Sequence, residues 1–131
     1  MSEDTPVSAR SLPGVHVLLV EDDATLSEAM ERMLGAAGCK VSTAADFRRA
    51  LDVLEGPEPI DLMLTDIVMP RGINGVALGR MARMRRRDIR LIYMTAYDIP
   101  GIDTEADGPV LRKPITAERL IAEMERALGR A

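Results

Sequence analysis

An α/β domain built on a doubly wound, five-stranded parallel sheet is the fold class this sequence predicts. Three observations predict it. Short, continuous apolar runs recur along the chain, the mark of strands buried on both faces. Segments with apolar residues at helical spacing separate them. The two kinds of segment alternate over nearly the whole of the 131 residues, which suffice for one domain with one core.

Met1 to Leu12 is polar and aperiodic and reads as a flexible tail, so the folded domain is expected over 13–131. Val15 to Val20 is the first strand. Asp23 is a plausible cap for a helix carrying Leu26, Ala29, Met30, Met33, Leu34 and Ala37, with Gly38 as its stop. Lys40 to Ala45 is a weak second strand. Asp46 caps a helix with Phe47, Ala50, Leu51 and Leu54 on one face, ended by Gly56-Pro57. Ile60 to Thr65 is the third strand. The loop Pro70 to Gly75 leads into a helix bearing Ala77, Leu78, Met81 and Met84. Ile89 to Thr95 and Pro109 to Arg112 are the fourth and fifth strands, and Thr116 caps a last helix with Leu120, Ile121, Met124 and Leu128. The segment Tyr97 to Gly108 breaks the alternation with Pro100-Gly101 and reads as a loop with at most one or two helical turns.

Hydrophobic residues make up 47% and aromatics only 2%, so the core is to be filled by Leu, Ile, Val, Ala and the nine Met. A net charge of −4 gives no footing for nucleic acid or an anionic membrane. One local exception is the cluster Arg80, Arg83, Arg85, Arg86, Arg87 and Arg90, read as a solvated helix end in preference to a docking patch for an acidic partner. The single Cys39 excludes an internal disulfide and reads as a small core or near-surface residue. No segment has the length of a membrane span or the apolar core of a leader, so a soluble, cytoplasmic protein is expected.

The chemistry gathers where strands end, at the edge where open α/β sheets place their ligand sites. Glu21-Asp22-Asp23 follows the first strand, Asp66 the third, Thr95 the fourth and Lys113-Pro114 the fifth. If the first and third strands are neighbours, Glu21, Asp22 and Asp66 converge. Like charges so close raise one another's pKa or demand a cation, and hard oxygen ligands suit Mg²⁺. A hydroxyl from Thr95 and an ammonium from Lys113 can hold phosphoryl oxygens. Each has a plainer reading: Asp23 is better taken as a helix cap, Thr95 alone as a turn residue, Lys113 alone as a surface charge. The set together points to a divalent cation and a phosphoryl group.

In this order, Val-Leu-Leu-Val-Glu21-Asp22-Asp23, Asp61-Leu-Met-Leu-Thr-Asp66-Ile-Val-Met-Pro70, Met94-Thr95-Ala96 and Arg112-Lys113-Pro114 resemble the response-regulator receiver domain of two-component signalling. The resemblance covers about Pro13 to Gly129. It implies a flavodoxin-like sheet of order 2-1-3-4-5. It implies Asp66 as phosphoacceptor, taking its group from a phosphohistidine of a sensor histidine kinase or histidine phosphotransfer protein. Mg²⁺ falls to Asp22, Asp66 and the Val68 carbonyl, with Glu21 acting through water. Thr95 and Lys113 fall to the phosphoryl oxygens, Val68 and Tyr97 to the two positions that tune dephosphorylation, and a cis bond to Lys113-Pro114.

The chain departs from the family pattern in three places. Val110 stands where receivers usually carry an aromatic, three residues before the lysine. Only 18 positions separate Thr95 from Lys113, so the fourth helix, between the fourth and fifth strands, is expected to be short or absent. The loop after Pro70 has one extra residue, with Gly72 and Gly75 to absorb it, as in receivers attached to hybrid kinases. The expectation is a single-domain regulator without a DNA-binding output or nucleic-acid partner, acting on a downstream protein by phosphorylation-dependent binding and not as an enzyme. The alternative is a receiver-fold interaction module indifferent to phosphorylation. A Mg²⁺-dependent phosphatase is disfavoured because Val68 occupies the place of a second acid two residues after the nucleophile.

Overall fold

Strands form where both faces of an apolar run find cover. The computed structural model describes residues 11–69, 74–97, 104 and 106–130. In chain order the elements are β1 (His16–Val20), α1 (Ala24–Ala36), β2 (Lys40–Ala44), α2 (Phe47–Glu55), β3 (Leu62–Asp66), α3 (Gly75–Arg85), β4 (Arg90–Thr95), β5 (Val110–Arg112) and α4 (Ala117–Ala127). All strands pair in parallel, in the order β2-β1-β3-β4-β5. Alternate residues go to opposite faces. Val17, Leu19, Leu62, Leu64, Ile92 and Met94 pack with Met30 and Leu34 of α1 and with Leu120 and Met124 of α4. Leu18, Val20, Met63, Leu91 and Tyr93 pack with Ala50 and Leu54 of α2 and with Leu78 and Ala82 of α3.

The helix starts were legible because short polar side chains compete for the free N–H groups of a first turn. Asp23 accepts from the Leu26 N–H at 3.1 Å, Asp46 from Arg49 at 2.9 Å and Thr116 from Arg119 at 3.2 Å. Asn74 does the same for α3, accepting from Ala77 at 2.9 Å. Strand three begins two residues later than expected and takes in Asp66 itself. Between β4 and β5 the described residues carry bends and turns and no helix, where the fourth helix was expected to be short or absent.

Two expectations need correction. Leu12, assigned to the flexible tail, is fully buried and donates its N–H to the Ala37 carbonyl at 3.0 Å. A lone leucine among polar residues carries no periodicity by which to see this. Residues 1–10, the rest of that tail, lie outside the described residues, as do the loop at 70–73 and most of 98–105. Four members of the arginine cluster, Arg80, Arg83, Arg85 and Arg86, are not merely solvated but tie distant segments together. Arg80 pairs with the buried Asp107 at 3.2 Å, Arg83 donates to the Ala106 carbonyl, and Arg85 pairs with Glu55 at 3.0 Å. Arg86 donates to the Leu54, Gly56 and Glu58 carbonyls at 2.7–2.8 Å, closing the C-terminal end of α2. These partners lie about 23–32 residues away in sequence, beyond the reach of helical-spacing arguments.

Tyr93 is wholly buried, and its hydroxyl has no hydrogen-bond partner among the described residues. Burial, then the nearby Asp107 carboxylate, push its pKa up to about 12. Gly79 makes room for it, since a methyl there would overlap the Tyr93 hydroxyl. An unpaired buried hydroxyl costs about 1–3 kcal/mol. Tyr93→Phe is therefore expected to leave the thermal midpoint unchanged or raise it by a few degrees. A fall in midpoint would show that the hydroxyl has a partner.

Candidate functional site

Parallel pairing brings the C-terminal ends of β1, β3, β4 and β5 to one edge, and the sequence-predicted residues follow. Val20 is in register with Thr65, Asp66 with Met94, and Thr95 with Arg112, so Glu21, Asp66, Thr95 and Lys113 stand at the ends of four successive strands of the sheet. One oxygen from each of Glu21, Asp22 and Asp66 lies within 4.8 Å of the others. Glu21 and Asp66 are buried and Asp22 is exposed. The cleft they share, of about 290 Å³, is lined also by Val68, Thr95, Ala96, Tyr97 and Lys113. A larger cleft of about 380 Å³ opens at the opposite end of the sheet, lined by Pro59, Asp61, Arg86 and Arg90 among others. Asp61 and Arg86 are held there by main-chain groups.

Lys113 is the hub. Its Nζ lies 3.0 Å from Glu21 Oε1 and 2.8 Å from Asp66 Oδ1. The second contact is an ion pair without the angle of a hydrogen bond, and Asp66 Oδ1 has no hydrogen-bond donor among the described residues. Glu21 Oε2 accepts the Asp23 N–H at 3.0 Å, which aims the Glu21 carboxyl inward. Burial, then the Glu21 carboxyl, push Asp66 up to about 7, with Lys113 opposing. Burial also works against charge on Glu21, but its contacts with Asp66, the Asp23 N–H and Lys113 outweigh it and hold the group below the usual carboxylate range. On Lys113 burial works against the ammonium, and the two carboxylates outweigh it and raise its pKa.

Two buried carboxyls therefore share one ammonium, and with both ionised these three groups are one positive charge short of neutral before the exposed Asp22 is counted. An orphaned buried oxygen, three convergent carboxylates and that deficit fit a divalent cation with hard ligands. Thr95 is buried, and its Oγ1 accepts the Tyr97 N–H at 3.1 Å. That leaves the hydroxyl proton to donate elsewhere. Val68 and Tyr97 are about half exposed or more, at 52% and 60%, on the rim of the cleft. The Lys113–Pro114 bond is cis, as the resemblance implied.

One contributor was missed by the sequence reading. Gly75, the first residue of α3, sits against the Asp66 carbonyl so closely that a methyl would overlap it. Its N–H donates to the Ile67 carbonyl at 2.7 Å. Its place in a glycine-containing loop was the only signal.

A doubly wound sheet with acids, a hydroxyl and a lysine on successive strand tips sets the class: an α/β domain with an acidic pocket at the C-terminal edge of its sheet. The profile of the response regulator receiver domain matches residues 17–125. The chain belongs to this family, whose members are signalling domains of two-component systems and bind Mg²⁺ in an acidic pocket. It is 35% identical over 121 residues to the response regulator MprA of Mycolicibacterium vanbaalenii, covering 88% of this chain and 51% of that protein. The chain thus spans about half the length of the curated relatives it matches. Among solved structures it is similar to the receiver domain of sensor histidine kinase PA1611 from Pseudomonas aeruginosa, which holds a magnesium ion in its active-site cleft. That match has 28% identity and a TM-score of 0.76, over 88% of this chain and 98% of that one. It is also similar to a chain of the complex of histidine kinase ThkA with response regulator TrrA, with 26% identity and a TM-score of 0.75 over 87% and 98%. Among the described residues no helix is long and apolar enough to cross a membrane.

Proposed function

We propose that this domain accepts a phosphoryl group on Asp66 from the phosphohistidine of a histidine kinase or phosphotransfer protein, and thereby switches its affinity for a downstream protein. The observation that carries this reading is the buried Asp66 Oδ1, unpaired by any hydrogen bond yet 2.8 Å from the Lys113 ammonium. Asp22, Asp66 and the Val68 carbonyl would hold Mg²⁺, with Glu21 acting through water. The ion supplies positive charge where an anionic donor meets a carboxylate.

Asp66 attacks phosphorus; the Oδ–P bond forms as the P–N bond of the phosphohistidine breaks, and the imidazole keeps that electron pair and leaves neutral because its other ring nitrogen already carries a proton. Lys113 moves its attention from Asp66 to a phosphoryl oxygen, remaining tied to Glu21. Thr95 donates its free proton to another. Such transfers need positioning and charge stabilisation more than covalent help. The ThkA–TrrA complex supports a kinase as donor for a domain of this shape.

Incubation with a small phosphodonor and Mg²⁺ tests the reading. One phosphoryl group is expected per chain, and none when the metal is chelated before the donor is added. An unmodified chain would favour the interaction module indifferent to phosphorylation.

Hydrolysis needs a water placed in line with the Oδ–P bond. Val68 flanks the site with an apolar surface that cannot orient one, which supports a long-lived phosphoryl state. Val68→Asn is expected to speed loss of label about tenfold, equivalent to ~1.4 kcal/mol of barrier. A half-life as short in the parent as in the variant would contradict this.

A further inference from the structure

Lys113 must be held by more than its strand. β5 is three residues long, lies at the edge of the sheet and pairs only with β4. The Lys113 N–H donates to the Thr95 carbonyl at 2.8 Å, and among the described residues no strand lies on its other side. An ammonium on a flexible four-carbon stem needs a fixed base if its position is to matter. The fixing comes from α4. Arg119 stands in the first turn of that helix, where the dipole disfavours a cation. Its side chain turns back, and one nitrogen, Nη1, donates to the Arg112 carbonyl at 3.1 Å and the Pro114 carbonyl at 3.3 Å. Those two carbonyls bracket Lys113. Arg112 in turn donates from Nε to the Ala96 carbonyl at 3.2 Å, next to Thr95. A chain of contacts thus runs from the first turn of α4, across both sides of Lys113, to the loop that carries the Thr95 hydroxyl.

We infer that Arg119 is a positioning residue for phosphoryl acceptance: it clamps the main chain on both sides of Lys113 and so places the ammonium against Asp66. Arg119 contacts neither Asp66 nor Thr95 among the described residues and acts chiefly through the main chain that carries Lys113. Loss of the clamp lets the base of Lys113 shift, and misplacement by about 1 Å can cost up to about a hundredfold in rate. The partial tie through the Thr95 carbonyl remains, so a smaller loss is expected. The inference rests on the phosphoacceptor reading above.

The test is a double-mutant cycle on the full chain, read as the second-order rate of phosphorylation by acetyl phosphate with Mg²⁺ in excess. Arg119→Ala should lower the rate about tenfold, with Mg²⁺ affinity unchanged. In a Lys113→Ala background the same substitution should have almost no further effect, because what it positions is gone. Arg119→Lys, which can still reach a carbonyl, should restore most of the rate. If Arg119→Ala fails to fold, Arg119→Gln carries the same comparison. An undiminished rate in Arg119→Ala, or an equal loss with and without Lys113, would overturn the inference while leaving the phosphoacceptor reading intact. A parent chain that takes no phosphoryl group at all would instead remove that reading, and the inference with it.

Discussion

Asp66→Asn, measured without divalent cations, is expected to stabilise the fold by about 2 kcal/mol at pH 8 and by little or nothing at pH 4. The native carboxyl, buried beside Glu21, titrates near pH 7, against the ordinary 3.8. Below pH 4 it is protonated in folded and unfolded chains alike and carries no penalty. Between pH 4 and 7 the unfolded chain sheds the proton and the folded chain keeps it, so stability falls as pH rises. Above pH 7 the loss is complete, with a ceiling of about 4 kcal/mol for three pKa units at 1.36 kcal/mol each. Lys113 returns part of this, since its own pKa is raised by the same carboxylates and the variant leaves it only Glu21. The asparagine amide can accept from Lys113 and donate to Glu21, so the replacement introduces no new unpaired group. Thermal unfolding at the two pH values, with chelator present, checks this. A variant less stable than the parent at pH 8 would mean that the Asp66–Lys113 pair outweighs the burial of the second carboxylate.

Gly75→Ala is expected to destabilise the domain by about 2–4 kcal/mol and to abolish phosphoryl acceptance. The added methyl would occupy the space of the Asp66 carbonyl group. Both are buried main chain, and neither can swing aside as a side-chain tip would. Relief requires α3 to retreat from the sheet, which breaks the 2.7 Å bond from Gly75 to Ile67, or Asp66 to rotate at the strand end. Either movement displaces the nucleophile. Gly35→Ala is the matched control, at an exposed position in α1 with nothing within 4 Å of the new methyl. It should be neutral or stabilising by up to about 1 kcal/mol. Equal midpoints for the two variants would show that the α3–β3 approach is looser than it stands.

The sheet, its helices and most of the caps could be read from the chain because they rest on local rules. Val17 to Val20 and Leu91 to Met94 are apolar or aromatic at every position, which only a strand covered on both faces tolerates. Asp23, Asp46 and Thr116 stand just ahead of helical periodicity, and each proved to be a cap. The site was legible because parallel pairing takes residues that each follow an apolar run and brings them to one edge. What stayed hidden depends on contacts between distant segments. Nothing in the local pattern shows that Arg86 closes α2, that Leu12 enters the core, or that Gly75 presses on Asp66. Tyr93 is the subtler case. Its register partner is Val110, the position where an aromatic was expected and missing. The ring on that face of the sheet belongs instead to the neighbouring strand.

A crystal structure of the domain with Mg²⁺ and beryllofluoride, a stable phosphoryl mimic, tests the central claim most directly. The account predicts beryllium attached to an Asp66 carboxylate oxygen. It predicts the metal on Asp22, Asp66 and the Val68 carbonyl, and fluorides contacted by Thr95 and Lys113. An ion bound away from Asp66, or a mimic that leaves this carboxylate bare while occupying another residue, would contradict it.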